Sequence, residues 1–99
     1  MYLFMDTETG GLTPKHSLLT VSCIAVDEHF DIIPRENNDH GLYLKLKHEE
    51  YALTAGALSV NKINIADHDS DAMPLDTARI VLKAFIEEMI QRSGKARLV

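Results

Sequence analysis

The clearest pattern in the chain runs from Gly41 to Lys47, where Leu42, Leu44 and Leu46 alternate with Tyr43, Lys45 and Lys47. A period of two puts the leucines on one face of a strand and the others on a wet face. Leu18 to Val26 reads as a second, largely buried strand, rich in Val, Ile and Leu, with Thr20 and Ser22 set against Leu19, Val21 and Cys23. Ahead of it, Tyr2 to Asp6 is a short apolar run ending on an acid. Thr7 to Pro14 then carries Gly10, Gly11 and Pro14, so a strand followed by a loop is expected. Asp27 to Phe30 reads as a turn, Asp31 to Ile33 as a brief return to the sheet, and Pro34 to Gly41 as a polar loop. Connections this short leave no room for crossover helices, so the three strands should pair antiparallel in sequence order as a meander.

Beyond Lys47 the period changes. Leu53 to Lys62 fits a short helix despite Gly56. Leu75 to Arg92 predicts a longer one, because Ala78, Val81, Leu82, Phe85 and Met89 recur at helical spacing. Gly94 is placed to close that helix in a left-handed conformation, and Ala96 to Val99 turn apolar as at the start of another strand. With no internal repeat, low-complexity tract or linker, residues 1–99 read as a single domain.

Composition narrows the class. A 99-residue chain that is 45% hydrophobic and 25% charged has the balance of a globular domain, and its small size makes the core marginal unless something else covers it. It lacks a run of about 18 apolar residues and a basic flank at Met1, so the cytoplasm is the expected compartment. A net charge of -5 speaks against a broad basic grip on nucleic acid, although metal ions can supply positive charge at a phosphate. Cys23, the single cysteine, lies in an apolar run and reads as a small core residue.

The candidate chemistry lies at Asp6 and Glu8. Two residues apart on a strand, their carboxylates share a face while Thr7 points away. Hard divalent cations such as Mg²⁺ are held by one or two carboxylates together with substrate phosphate oxygens. Thr9, Gly10 and Gly11 follow at once, and glycine lets backbone N–H groups come close to a nucleotide. The spacing alone is a weak signal, since in most proteins a bare D-x-E is a pair of exposed acids at a strand end.

The full string Leu3-Phe4-Met5-Asp6-Thr7-Glu8-Thr9-Gly10-Gly11-Leu12 resembles the first motif of the DEDD, or DnaQ-like, 3′-to-5′ exonucleases. The likeness continues through the meander, the segment Ala57-Leu58-Ser59-Val60-Asn61-Lys62-Ile63 and the long helix. It implies an α/β domain of the ribonuclease H-like type, with a mixed sheet opening as an antiparallel three-strand meander and helices packed on it. Asp6 would bridge two Mg²⁺ or Mn²⁺ ions, Glu8 would bind one ion and help place the attacking water, and Thr9 and Gly10 would meet the terminal nucleotide. Val60 and Asn61 match the segment that packs beside that nucleotide, while the residue pattern of Ala57, Leu58 and Val60 equally fits plain core. The implied partner is a single-stranded DNA or RNA 3′ end, with a homodimer or a polymerase partner also open.

The family's site needs further acids and a general base that stand nowhere in these 99 residues in matching context. The chain is therefore expected to be the N-terminal part of an exonuclease domain, apparently truncated and inactive alone. Two rivals remain: a phosphatase of the haloacid dehalogenase type, against which Glu8 stands where that motif has Asp, and a non-catalytic interaction or scaffold module.

Other clusters read blandly. Asp67-His68-Asp69-Ser70-Asp71 begins like a calcium loop, but Ala72 replaces the needed glycine and Ala78 the bidentate Glu, so it reads as a solvated loop before the long helix, with Asp76 near that helix's cap. His16, His29, His40, His48 and His68 share no metal-ligand spacing and read as mostly surface residues. Lys15, Lys45, Lys47, Lys62 and Arg79 form no basic stripe.

Overall fold

The computed structural model describes residues 1–93 and the backbone of 97–98. The elements in chain order are β1 (Tyr2–Thr9), β2 (Leu18–Val26), β3 (Leu42–Lys47), α1 (Ala55–Asn61), α2 (Ile65–Asp71), β4 (Met73–Pro74), α3 (Leu75–Ser93) and β5 (Arg97–Leu98). They build one mixed sheet in the order β4-β3-β2-β1-β5. β1, β2 and β3 pair antiparallel as the expected meander, while β4 runs parallel to β3 and β5 parallel to β1. Asp31 to Ile33 does touch the sheet again, through a bridge between Val26 and Ile32.

Helix α3 covers one face. Phe85 and Met89 are fully buried against Leu3, Cys23 and Ala25, and Ala78 packs with Val21, Leu44 and Leu46. Each such large side chain removed from water contributes about 1.5–3 kcal/mol. Cys23 is the core residue its context suggested: burial raises its thiol pKa, keeping it protonated. Asp76 lies in the first turn of α3, as expected for an acid at the positive end of a helix dipole. The proposed closure of α3 by Gly94 lies outside the described residues.

Three expectations need correcting. β1 does not end at Asp6; it runs to Thr9, because Thr7 and Glu8 still face Val21 and Thr20 of β2, with a bulge only between Glu8 and Thr9. The acidic cluster from Asp67 to Asp71 is not a loop but most of α2. Asn64 caps this helix by accepting from the N–H groups of Ala66 and Asp67.

His68 is not at the surface. It is 4% exposed, its Nε2 lies 2.9 Å from the Leu46 carbonyl oxygen, and its ring meets Tyr51 edge-on. Around it, Tyr51 donates to Asp69 at 2.7 Å, and Lys47 and Lys45 pair with Asp69 and Asp71. α2 is thus fastened to β3 by polar contacts that no hydrophobic period reveals.

Candidate functional site

The site is assembled where the end of β1 meets α1. Thr54 caps α1 with its hydroxyl on the Ala57 N–H at 3.1 Å, and Lys62 ends the helix in a left-handed conformation, φ 59°. Two bonds hang this helix on the strand: the Thr54 N–H donates to the Gly10 carbonyl at 2.6 Å, and the Asn61 side-chain amide donates to the Thr9 carbonyl at 2.9 Å. On the other side, residues 10–17 are stitched shut. Gly10 N–H donates to Ser17, Ser17 N–H to Ala52, and Ala52 N–H to the Ser17 hydroxyl.

Between strand and helix lies a cavity of about 430 Å³ whose walls include Glu8, Thr9, Leu12, Ala57, Val60 and Asn61. Four of the six predicted site residues, Glu8, Thr9, Val60 and Asn61, therefore come together. Val60 is 80% exposed and α1 has no buried residue, so the alternative that this helix is plain core does not hold. Asp6 borders a separate apolar hollow of about 250 Å³ with Phe4 and Ile24. Gly10 lines neither. Its N–H is spent on Ser17, and a Cβ there would fall on the Ala52 carbonyl oxygen and the Leu53 side chain. Its lack of a side chain serves close backbone packing, in place of the nucleotide approach read from the sequence.

Asp6 and Glu8 nevertheless share a face. Their β2 partners are Ser22 and Thr20, and alternate residues on a strand stand about 6.7 Å apart. Asp6 is exposed and Glu8 half-buried, and among the described residues neither enters an ion pair. The two oxygen donor sets suit a hard divalent ion whose remaining ligands are substrate oxygens and water. Among the described residues no three His, Cys, Asp or Glu side chains converge as a metal-binding group.

Leu12, which closes the motif string but carried no expected role, is fully exposed on the lip of the cavity.

Among known proteins, no family model matches the chain and no curated protein matches it. Solved structures do. Exonuclease I of E. coli in complex with a dT13 oligonucleotide superposes with a TM-score of 0.65 at 23% identity over 80% of this chain. An ExoI/SSB-Ct complex gives 0.66 and the E. coli exonuclease I complex with a dA16 oligonucleotide 0.65, at the same identity and coverage. The chain spans 17% of the length of these structures. None of the described helices is long and apolar enough to cross a membrane. The fold is the expected one: a mixed sheet with helices packed on it, of the ribonuclease H-like type seen in exonuclease I.

Proposed function

We propose that these 99 residues are the N-terminal part of a DEDD-type 3′-to-5′ exonuclease domain, cytoplasmic and dependent on Mg²⁺ or Mn²⁺. The observation that carries the reading is the placement of Asp6 and Glu8 on one face of β1, free of ion pairs among the described residues, with Glu8 opening into the cavity formed with Thr9, Val60 and Asn61. The Asp6-Thr7-Glu8-Thr9-Gly10 string and the shared fold of exonuclease I support it, and the oligonucleotides in those neighbouring structures suggest a single-stranded DNA end as substrate.

In this reading Asp6 and Glu8 hold the ions, and the terminal nucleotide lies in the cavity against Val60 and Leu12, with Thr9 beside it. A bound divalent ion supplies the charge that activates water and steadies the leaving oxygen. The activity belongs to a protein that adds the missing acids and a general base, whose loss typically costs ~10²- to 10⁴-fold in rate.

The test is a titration with Mn²⁺ followed by NMR. Paramagnetic broadening should begin at Asp6 and Glu8 and should vanish in the Asp6→Asn, Glu8→Gln double variant. Absence of broadening at those residues in the wild type sinks the nuclease reading and leaves the scaffold module.

A further inference from the structure

Strand register places other side chains beside the two acids on the open face of the sheet. Asp6 faces Ser22, which faces Tyr43; Glu8 faces Thr20, which faces Lys45. Directly opposed residues on antiparallel strands point to the same side, so two rows cross the sheet in parallel, each running from an acid on β1 over a small hydroxyl on β2 to a larger side chain on β3. Two strand spacings, about 10 Å, separate the ends of each row. The short hydroxyl residues keep the middle of the rows low.

The far ends open into a polar cavity of about 340 Å³ bordered by Tyr43, Lys45, Lys62 and Asn64, with one acid, Asp67, also on its rim. Asn61 borders both this cavity and the one beside Glu8, so the two adjoin. Tyr43 is 59% exposed and its ring is in no aromatic pair among the described residues. Lys62 is exposed and enters no ion pair among the described residues, and Lys45 is held only by a pair with Asp71 at 3.5 Å, whose carboxylate is 66% exposed. An exposed pair of that kind is worth little and exchanges readily for a phosphate. A flat aromatic face with two flanking ammonium groups suits one base and one phosphate of a single strand.

We infer that this second cavity is the subsite for the nucleotide next to the terminal one, with Tyr43 stacking on its base and Lys62 and Lys45 facing its phosphate. The inference rests on the nuclease reading, since the strand would enter from the Glu8 cavity. It assigns Tyr43, a residue on the wet face of β3, a binding role that its position in the sheet does not require.

The test compares binding of dTMP and of (dT)₄ to the wild type, Tyr43→Ala, Tyr43→Phe and Lys62→Ala, in diamagnetic Mg²⁺, by amide chemical shifts. Tyr43→Ala should weaken (dT)₄ by about 5- to 100-fold and leave dTMP unchanged, with Tyr43→Phe close to wild type. Lys62→Ala should reduce the dependence of (dT)₄ affinity on salt by about 0.7 in log–log slope. Equal effects of Tyr43→Ala on both ligands, or no effect on either, overturn the subsite while leaving the nuclease reading in place. A wild type that binds neither ligand overturns both.

Discussion

The two faces of the central strands are built from the same three segments and could hardly differ more. Toward α3, Leu3, Cys23 and Ala25 meet Phe85 and Met89, and Val21, Leu44 and Leu46 meet Ala78, with almost no surface left to water. On the opposite side Phe4 and Ile24 remain 37% exposed, and the positions beyond them hold Asp6, Glu8, Ser22, Tyr43 and Lys45. One face is filled to make the domain stable; the other leaves space and unspent polar groups. The contrast teaches where to look for chemistry: residues that satisfy the strand period without being covered are the ones whose identity packing does not explain.

Substitutions on the two faces should separate stability from binding. Phe85→Ala should cost about 3–5 kcal/mol in denaturant unfolding, whereas Asp6→Asn should stay within about 0.5 kcal/mol of wild type yet weaken Mn²⁺ broadening. Comparable losses of stability from both would erase the distinction.

At the seam between the faces, Gly10→Ala should cost about 1–3 kcal/mol through overpacking against Ala52 and Leu53, measured by the same unfolding curve. Amide shifts should also change from Ala52 to Thr54.

The smallest effect lies at α2. The hydrogen bond from Tyr51 holds the Asp69 carboxyl below its usual pKa, burial opposes this, and Lys47 adds to the lowering. A lowered folded pKa contributes stability that is present above the unfolded value and is lost as pH falls through the folded one. Tyr51→Phe should therefore move the Asp69 midpoint upward in an NMR titration, toward that of an ordinary aspartate. Burial, followed by the same bond, raises the Tyr51 hydroxyl pKa, so its contribution persists until pH rises past the ordinary tyrosine range.

Hydrophobic spacing made α3 and β3 legible, because their buried residues recur at the period of the element itself. It also set Asp6 and Glu8 on one face, although the strand was expected to stop at Asp6; the inference held because β2 keeps pairing with β1 through Glu8. α2 and the two-residue β4 were not legible. The helix is anchored by Tyr51, Lys47 and the buried His68, contacts distant in sequence that leave no apolar stripe.

Within the site, Val60 and Asn61 follow from the family likeness, and the residue pattern alone fits Val60 to plain core. Gly10 was read as an open approach because its packing partners, Ala52 and Leu53, lie some forty residues downstream.

Helix α1 hangs from main-chain oxygens of Thr9 and Gly10, the two residues directly after Glu8. A molecule that presses on Val60 therefore bears on a helix bonded to the peptide units next to Glu8, the carboxylate that borders the same cavity. Ser59, exposed and outside the cavity lining, carries none of that load.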